Sequence, residues 1–476
     1  MELTLSGRGR LADQVYQALR DRIQSGALPA GTRLPGSRAL ARSLGLSRGT
    51  VAAAYERLQA EGFCDAVLRS GTRVASLGEA AVPAAAAAGG GVAHRMRWRG
   101  DPEPPRYDLR AGLPNVADFP MAVWSRLARQ ALRQPRRELF DYPHPEGLPA
   151  LRVAIAAHLR RRRGLEVSAA EVLITQGAQQ AFSLIARGLL PAGVPVAVED
   201  PGYLGFGQAA RAAGLALWPV PVDGDGLQTA ALARAPVSSV YVTPAHQFPT
   251  GALLSASRRR ALLAWAEHRD GWIIEDDYDS EYRFSAPPMA PLKQLDRAGR
   301  VLLVGSFSKT VYPGLRLGYV VAPLAVLESL ALLKNLDDAG SGNFDQAVLA
   351  AFIADGHYER HLRRGQRRHA ARRAALVAAL QSEFGNAVRI GGAEAGLHLV
   401  ADLGLSPARE RAVVAAARRQ GIGLHGVGAF AQRSGAARGL VLGYARVDDD
   451  SLHEAVRILG RIVADLDHRP GVRGRH

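Results

Sequence analysis

Residues 301–320 read VLLVGSFSKTVYPGLRLGYV, a strand-length apolar run followed by a turn rich in serine and glycine. Earlier in the chain, apolar runs of similar length also end in polar residues, and helical patterns separate them. These runs are VLITQ (172–176), VPVAVED (194–200), VSSVYVTP (237–244) and WIIEDD (272–277). Alternating strands and helices predict an α/β domain with a mostly parallel sheet. Ligands bind such sheets at the carboxyl ends of the strands, where these polar residues lie.

The turn after the 301–306 strand contains Lys309, with Arg316 seven residues later. A lysine amine can attack an aldehyde to form a Schiff base, and a nearby cation helps to keep the amine neutral. A phosphate would be a suitable partner for Arg316, Ser306 and Ser308, because arginine matches phosphate geometry. The turn is therefore a candidate site for a phosphorylated aldehyde.

An acidic cluster, EDDYDSEYRF, follows the WIIEDD strand. A carboxylate at a strand end can pair with a protonated pyridine nitrogen, and Asp276 is our candidate for this role. Tyr278 could hydrogen-bond the phenolic oxygen of the same ring. Taken alone, the cluster would be more typical of a solvated loop or a metal site, but beside the lysine motif we prefer the cofactor interpretation.

Two further strand ends extend the candidate site. Backbone amides at the start of a helix can cradle phosphate, and we expect Gly177, Ala178 and Gln179 to supply them. Tyr203 could stack on a pyridine ring, although an ordinary loop tyrosine is an equal alternative.

The first 75 residues follow the plan of a winged helix-turn-helix. An apolar face recurs over residues 11–25, and Ser37 and Ser47 are predicted to cap two short helices on either side of Gly45. The stretch FCDAVLRSGTRVAS (63–76) then predicts two short strands, a wing.

In this plan the second helix enters the major groove with its first residues at the base edges. Arg48 could give a bidentate contact to guanine. Arg38 and the wing residues Ser70, Gly71 and Thr72 could meet phosphates. The alternative is a small helical domain that only packs on the larger one.

The composition changes near residue 76. Residues 76–105 are rich in alanine, glycine and proline, which predicts a linker between domains at 1–75 and 106–470. From about Leu324 the pattern becomes helical and then α+β, which predicts a smaller subdomain. No run approaches the roughly 18 apolar residues that span a bilayer, and the start shows no secretion signal, so we expect a cytoplasmic protein.

The chain has a formal net charge of +16, with only three lysines among 60 basic residues. A basic balance favours nucleic acid or another polyanion, but such an arginine content is also typical of a GC-rich genome. The basic runs at 160–163 and 361–373 allow two interpretations, a DNA path or solvated helix faces. Lys293 and Lys334 look like surface residues. The single cysteine, Cys64, excludes an internal disulfide framework and a Cys-rich metal site.

Residues 11–63 resemble the winged helix of the GntR family over nearly its whole length. The matching pieces are G-x-L-x-x-G-x-x-L-P from Gly26, S-R-x-L-A from Ser37 and L-x-x-S-R-x-T-V-x-x-A-Y-x-x-L from Leu44. The resemblance implies DNA contacts by Arg38, Ser47, Arg48, Thr50 and Gly71. Ala52 stands where some members have a base-contacting arginine, which implies a different operator preference.

Residues 107–466 resemble the fold type I aminotransferases, specifically the large domain of the MocR/GabR subfamily of GntR regulators. The strongest pieces are YPHPEGLPALRVAIAAHLRRRRG (142–164), ITQGAQQAFSLIARGLL (174–190), EDPGYLGF (199–206), TPAHQFPTG (243–251), IIEDDYDSEYRF (273–284), SFSKTVYPGLRLGY (306–319) and AGLHLV (395–400). The resemblance implies pyridoxal 5'-phosphate (PLP), held as an internal aldimine on the catalytic Lys309. It assigns Asp276 to the pyridine nitrogen, Tyr278 to the phenolic oxygen and Tyr203 to the ring face. The implied phosphate ligands are Ser306, Ser308, Arg316, Gly177, Ala178 and Gln179.

Two positions depart from ordinary aminotransferases. Phe248 occupies the place of an asparagine that touches the cofactor in those enzymes, and His246 or Gln247 is expected to compensate. Val441 stands where they have an arginine for the substrate carboxylate. Nearby arginines are Arg433, Arg438 and Arg446.

We therefore expect a PLP-dependent transcription regulator with little or no turnover, whose effector is an amino compound or PLP itself. The resemblance also implies a head-to-tail homodimer that reads two half-sites of double-stranded operator DNA. The alternative is an active class I/II aminotransferase with an appended DNA-binding domain, in which Lys309 is the general base. A binding-only domain without a cofactor disagrees with the complete set of site residues.

Overall fold

The structure, a computed structural model, describes Leu3 and residues 9–67, 71–75, 104–133, 137–284, 289–433 and 438–468. The chain divides into two units, Met1–Trp98 and Arg99–His476. This division falls inside the predicted linker 76–105, but residues 76–103 lie outside the described residues. The predicted domain boundaries therefore remain predictions.

The first unit is the predicted winged helix-turn-helix. Its described elements are α1 (Leu11–Gln24), α2 (Ser37–Leu44), α3 (Arg48–Ala60) and the antiparallel strands β1 (Cys64–Val67) and β2 (Gly71–Val74). Val15 and Leu19 of α1 and Val51 and Leu58 of α3 are fully buried. Removal of these side chains from water stabilises the three-helix core.

The two predicted helix caps have different outcomes. Ser47 caps α3, because its Oγ accepts a hydrogen bond from the Thr50 backbone N–H at 3.1 Å. The prediction for Ser37 was wrong: Ser37 is the first helical residue, and Gly36 holds the cap position without a side chain that could accept a bond. Gly45 ends α2 with φ 66°, in the left-handed region that a tight helix end requires. Ser70, predicted on the wing, lies outside the described residues.

The second unit begins with the short strand β3 and two helices, and an eight-stranded sheet follows. The first elements are β3 (Tyr107–Asp108), α4 (Met121–Arg133) and α5 (Pro149–Arg163). The sheet contains β4 (Val172–Thr175), β5 (Val196–Asp200), β6 (Leu217–Asp223), β7 (Gly226–Leu227), β8 (Ser239–Val242), β9 (Trp272–Asp277), β10 (Val301–Ser306) and β11 (Gly318–Val321).

The order across this sheet is β4-β11-β10-β9-β8-β5-β6-β7. Five successive strands are parallel to one another, namely β10, β9, β8, β5 and β6. β11 is antiparallel to its neighbours β10 and β4, and β7 is antiparallel to β6. This confirms the predicted α/β class with a mostly parallel sheet. The sequence patterns gave no prediction for β6, β7 or β11.

Helices pack on both faces of the sheet. Those that follow the first strands are α6 (Ala178–Gly188), α7 (Leu204–Ala212), α8 (Ala256–His268), α9 (Leu292–Leu295), α10 (Leu324–Asp338), α11 (Asn343–Ala354) and α12 (His357–Phe384). Leu303 of β10 belongs to the core with α4, α5 and α11, whereas Leu302 and Val304 belong to the core with α6, α7 and α10. Successive strand side chains point to opposite faces, so the unbroken apolar run of β10 indicates burial on both sides.

The chain ends in the predicted smaller α+β subdomain. Its elements are β12 (Arg389–Gly391), β13 (His398–Asp402), α13 (Pro407–Arg419), β14 (Ile422–Gly423), β15 (His425–Gly426), β16 (Leu440–Gly443) and α14 (Asp449–His468). Four strands form an antiparallel sheet in the order β12-β13-β16-β15. β3 pairs in parallel with β14, and the Leu109 carbonyl accepts a bond from the Gly443 N–H at 2.8 Å. The segment that opens the second unit is thus fixed to the small subdomain.

The predictions for two lysines were wrong. Lys334 on α10 is fully buried, and its Nζ pairs with Asp338 at 3.4 Å. Lys293 is mostly buried, and its Nζ lies 3.3 Å from Asp296. In both cases the methylene groups of the lysine side chain are buried, and the ammonium group pairs with a carboxylate.

Among the described helices, none is both long and apolar enough to span a membrane.

Candidate functional site

Neighbouring strands bring the two predicted reactive groups to one edge of the sheet. β9 and β10 are parallel, and Asp276 pairs in register with Val304. The loop that follows β10 contains Lys309, and Asp276 and Asp279 both act to raise the pKa of this lysine. The carboxyl-edge placement predicted for Asp276 and Lys309 therefore matches the fold.

Asp276 is buried, and one of its carboxylate oxygens has no partner. Its Oδ2 accepts a 2.5 Å hydrogen bond from the Tyr241 hydroxyl on β8, whereas Oδ1 has no hydrogen bond to any described residue. Burial raises the pKa of Asp276 to about 7, and the Tyr241 bond opposes that rise. Because a buried carboxylate is costly without a donor or a cation, Oδ1 is suited to an N–H group of a ligand.

Lys309 Nζ donates a 2.6 Å hydrogen bond to the Gly112 carbonyl oxygen. Burial lowers the pKa of Lys309, Asp279 and Asp276 oppose this change, and Arg316 adds to it. A lowered pKa increases the neutral, nucleophilic fraction of the amine. Gly112 has φ 74°, and a Cβ there would lie 3.1 Å from Nζ, so glycine allows this close approach.

The Arg316 guanidinium lies beside the amino-terminal end of α6, so the electrostatic potential at this corner of the site is positive. Gly177 precedes α6 with φ 78°, and a Cβ on it would lie 3.2 Å from Arg316 Nη2. Arg316 donates to the Gln176 carbonyl at 3.2 Å and has φ 51°, which is uncommon for a residue other than glycine. Free amides at a helix start beside a guanidinium are suited to bind an anion such as phosphate.

The other predicted phosphate ligands lie in the same two loops. Ala178 is the first residue of α6, and Gln179 follows it with its side-chain amide donating to the Gly205 carbonyl at 2.9 Å. Ser306 ends β10, and its Oγ accepts a bond from the Ser308 N–H at 3.2 Å. The side chain of Gln179 therefore bonds to the start of α7. The backbone N–H of Gln179 lies in the first turn of α6, where a phosphate is predicted to bind.

Tyr203 precedes α7, and its side chain is partly open, with 40% exposure. The Phe248 ring stands edge-on to it with centroids 5.9 Å apart, and also contacts Phe430 at 4.8 Å. The side-chain amide of Gln247 donates a 2.9 Å hydrogen bond to the Pro201 carbonyl and so connects the loops after β8 and β5. Phe248 thus joins an aromatic cluster at the position where the family resemblance implies an asparagine.

His246 is enclosed by groups of the protein. Its Nδ1 lies 3.0 Å from Asp279 Oδ2, and its Nε2 lies 3.2 Å from the Gly392 carbonyl oxygen of the small subdomain. The Tyr278 hydroxyl donates to the His246 carbonyl at 2.9 Å. The ligand atoms of His246, Asp279 and His398 lie within 4.8 Å of one another. This buried polar group connects Tyr278 with the small subdomain, and a direct contact of His246 with a cofactor remains a prediction.

Val441 is buried in β16, and three arginines lie near it in the sequence. Arg446 pairs with Asp108 at 2.8 Å, and the same carboxylate accepts Arg110 at 2.6 Å. Arg433 and Arg438 are exposed. Arg446 therefore stabilises the β3 segment.

Ionic contacts extend from the end of β9 to the surface helices. Asp277, next to Asp276, accepts a 2.7 Å bond from the buried Arg163 of α5. Arg162 lies 3.4 Å from Glu281 and 3.4 Å from Glu359 of α12. These charges hold α5 and α12 against the end of β9 and the loop that follows it.

In the first unit, the predicted DNA-contacting residues cluster at α2, the start of α3 and the wing. Arg38, Ser47, Arg48 and Gly71 are exposed, whereas the Thr50 hydroxyl lies 2.8 Å from Ser47 Oγ and is partly covered. Arg48 is the first residue of α3, where a recognition helix meets base edges. Gly71 opens β2 with φ 86°, as a wing turn requires.

Three residues of these sites were missed by sequence reasoning. Tyr241 and Gly112 have no local signal, since each meets its partner only through the tertiary fold. Arg33 is exposed, and its Nε would lie 3.6 Å from a Cβ on Gly71. Its position just before the Leu34-Pro35 turn is the one signal that could have suggested a place beside the wing.

Two family models match separate parts of the chain. Residues 11–74 match the family of bacterial regulatory proteins, gntR family, and residues 111–456 match aminotransferase class I and II. The chain is 35% identical to the probable rhizopine catabolism regulatory protein MocR of Rhizobium meliloti, over 94% of this chain and 92% of that protein. It is 33% identical to the pyridoxine biosynthesis transcriptional regulator PdxR of Corynebacterium glutamicum, over 92% and 93%.

Among solved structures, the fold resembles that of the Pyrococcus horikoshii kynurenine aminotransferase in complex with PMP. The TM-score is 0.72 and the identity 26%, over 79% of this chain and 97% of that chain. The aminotransferase match covers more than half of the sequence, and the two full-length relatives are both named as regulators. The chain therefore belongs to the MocR/GabR subfamily of GntR-family transcription regulators.

Proposed function

We propose that this regulator binds operator DNA through its winged helix-turn-helix and PLP through Lys309 of its second unit. The observation that carries the proposal is the placement of Lys309 and Asp276 at the ends of neighbouring strands, in a chain whose relatives are named regulators. Since its target is operator DNA, we also propose a cytoplasmic location.

The residues present fit PLP in three respects. Asp276 Oδ1 is a buried acceptor without a hydrogen bond to any described residue, and it is suited to a pyridine N–H. Lys309 is a buried amine with a lowered pKa, and Gly177 and Arg316 form a corner suited to phosphate. When bound, PLP supplies an aldehyde for the lysine amine and an electron-withdrawing ring.

Each of the chain's own groups then has a defined task. Asp276 keeps the proton on the ring nitrogen, and its bond from Tyr241 favours the ionised carboxylate that this task requires. Tyr278 orients the phenolic oxygen, and Tyr203 covers the ring face. The groups proposed to hold phosphate are Ser306, Ser308, Arg316 and the backbone amides of Gly177, Ala178 and Gln179.

We propose an amino compound, or PLP itself, as the effector. A ligand shifts a conformational equilibrium only by its different affinity for the two states. Tyr278 contacts His246, which contacts the Gly392 carbonyl, so a ligand that changes Tyr278 acts on both parts of the second unit. Through the contacts of Tyr278 with His246 and of His246 with Gly392, a bound ligand could change the position of the small subdomain relative to the large sheet.

We propose little or no turnover, because Val441 replaces the carboxylate-binding arginine and Arg446 is paired with Asp108. Transamination is the second candidate activity. The lowered pKa of Lys309 favours it, since a neutral amine at this position can act as a general base.

We also propose a homodimer, in the head-to-tail arrangement that the family resemblance implies. Tyr142 is 88% exposed, and Leu332 and Leu336 on α10 are 65% and 76% exposed. Gly340, just after α10, packs against Pro143, so these apolar side chains belong to one region. Exposed apolar surface of this kind is typical of a protein interface.

Selection of bound duplexes from a random DNA pool, with the full-length protein, tests the DNA-binding half of the proposal. We expect one enriched motif present in two copies, and weaker enrichment of it with Arg48→Ala. Absorption spectroscopy with added PLP tests the other half, and a visible band is expected. Absence of any enriched motif, or of any PLP-dependent band, would overturn the corresponding half.

A further inference from the structure

A buried cluster beside Tyr278 has no ligand under the proposed function. It consists of His246 in the loop after β8, Asp279 in the loop after β9 and His398 at the start of β13. All three side chains are buried, and one ligand atom of each lies within 4.8 Å of the other two. The cluster therefore joins the large sheet and the small subdomain at one point in the interior.

Hydrogen bonds to backbone carbonyls decide which nitrogen of each histidine carries a proton. His246 Nε2 lies 3.2 Å from the Gly392 carbonyl oxygen, and His398 Nε2 lies 3.1 Å from the Pro249 carbonyl oxygen. A carbonyl oxygen only accepts, so both Nε2 atoms are donors, and in a neutral ring Nδ1 is then an acceptor. Histidines that bind a metal through one nitrogen commonly donate the other N–H to a backbone carbonyl in this way.

Three acceptor atoms of the cluster consequently face one another. His246 Nδ1 lies 3.0 Å from Asp279 Oδ2, and the buried His398 Nδ1 has no hydrogen bond to any described residue. The Tyr278 hydroxyl has one proton, and it lies 2.9 Å from the His246 carbonyl as well as 3.1 Å from His246 Nδ1. A proton on His246 Nδ1 would satisfy Asp279 but leave His398 Nδ1 without a partner, whereas a metal ion satisfies all three atoms.

We infer that His246, Asp279 and His398 bind a divalent transition-metal ion of the zinc type. Two imidazole nitrogens and a carboxylate oxygen are a known zinc ligand set with one open position, whereas Mg²⁺ and Ca²⁺ take oxygen ligands. Ligand atoms around a tetrahedral zinc ion lie about 3.3 Å apart, since each is about 2.0–2.2 Å from the metal. The separation of His246 Nδ1 from Asp279 Oδ2 is close to this value, and a small movement of the His398 ring closes the rest. The ion connects the loops after β8 and β9 to β13, and so fixes the small subdomain to the large sheet.

The test measures metal binding by the full-length protein after removal of metal with a chelator. Equilibrium dialysis against Zn²⁺, with a competing chelator present, gives the stoichiometry and the dissociation constant. His398→Gln and Asp279→Asn each remove one ligand and keep a polar side chain of similar size. His369→Gln is the matched control, because His369 is also buried with an Nδ1 that lacks a hydrogen bond to a described residue, but it belongs to no such cluster among them.

We expect one tightly bound zinc ion per chain, with affinity reduced by more than about 100-fold in each cluster variant and unchanged in His369→Gln. Loss of groups outside the ligand shell costs about 10–100-fold, so a larger loss identifies the ligands. Co²⁺ provides a measurement that depends on no variant, because its visible absorption reports the coordination of the ion. Wild type should show a visible cobalt band that Zn²⁺ abolishes.

Equal zinc affinity in wild type and both cluster variants would overturn the inference and assign the bound metal to surface histidines. Absence of both a tight zinc ion and a cobalt band in wild type would also overturn it, and would leave His246 and Asp279 as a hydrogen-bonded pair. The measurement uses neither PLP nor DNA, so its outcome is independent of the proposed function.

Discussion

Tyr241 on β8 donates a 2.5 Å hydrogen bond to Oδ2 of Asp276 on β9, while Oδ1 bonds to none of the residues that the structure describes. The Tyr241 ring is stacked on Phe206, with centroids 4.4 Å apart and an interplanar angle of 10°. Both residues are buried, so the phenol has little freedom to turn away. The carboxylate that we assign to the pyridine nitrogen is therefore oriented from behind by a tyrosine fixed in the core.

Replacement of Tyr241 by Phe is expected to weaken PLP binding. Loss of the hydrogen bond removes an influence that lowers the pKa of Asp276, so more of the carboxyl is neutral near pH 7. Hydrogen bonds to charged groups contribute about 1.5–3 kcal/mol, which sets the expected loss. Titration of the PLP absorption band measures it. Tyr282→Phe is the control, since the buried Tyr282 hydroxyl has no hydrogen bond to a described residue, and equal affinities of the two variants would contradict the role of Tyr241.

The pKa of Asp276, raised to about 7, predicts a specific pH dependence of stability. An ordinary aspartate has a pKa near about 3.9. A carboxyl whose pKa is raised by folding stabilises the fold at low pH, and this contribution is lost as the pH rises toward 7. Without PLP, wild type should therefore lose stability relative to Asp276→Asn between about pH 4 and about pH 7. Urea unfolding of both proteins across this range measures the difference, and parallel curves would exclude the raised pKa.

Lys309→Ala should fold and bind the operator but hold no covalently attached PLP. Borohydride treatment followed by mass measurement of the protein detects the attached cofactor. Lys293→Ala is the matched control and should retain the attachment, because Lys293 lies beside Asp296 and away from the strand-end loops. A cofactor still fixed to Lys309→Ala after reduction would remove Lys309 from the assignment.

Arg48→Ala should weaken operator binding by about 1–3 kcal/mol and leave PLP affinity unchanged, because Arg48 is the first exposed residue of the recognition helix. Arg20→Ala is the control, since Arg20 on α1 pairs with Asp21. Competition binding with operator and mismatched duplexes distinguishes base reading from phosphate contact. If Arg48→Ala bound both duplexes as wild type does, Arg48 would have no part in operator recognition.

If the proposed homodimer uses this region, glutamate in place of both Leu332 and Leu336 should convert it into a monomer. These side chains are among the most exposed apolar ones of the second unit, and two buried charges would oppose association. Sedimentation velocity measures the change. Leu295→Glu, at a leucine with 45% exposure on α9, should remain dimeric. An unchanged mass of the double variant would place the interface elsewhere.

The sequence was sufficient to predict that Asp276 and Lys309 lie at the carboxyl ends of strands. Each of the two residues comes at or just after the end of a short apolar run, and these runs form β9 and β10 in the structure. The turn at Gly177 was predictable for the same reason, since a glycine between a strand and a helix marks a helix start.

Tyr241 and Gly112 could not be predicted. Tyr241 lies inside a strand whose apolar pattern is satisfied by burial alone, and its partner becomes visible only when β8 and β9 pair. Gly112 lies 197 residues before Lys309, and no local pattern connects them. Lys334 was misjudged because a lysine four residues before an aspartate is typical of an exposed helix face, whereas α10 buries this pair against its neighbours.

The short segment from Tyr107 to Gly112 has a mechanical consequence. One end is paired with β14 of the small subdomain, and at the other the Gly112 carbonyl holds Lys309 Nζ. At about 3.3–3.6 Å per residue, these five steps along the chain reach no more than about 18 Å, so the segment has little slack. A force applied to the chain at Pro104 would act first on the pairing of β3 with β14 and then on the hydrogen bond between Gly112 and Lys309. The position of the β3 segment and the position of Lys309 are thus connected through the backbone, so a shift of one is expected to disturb the other.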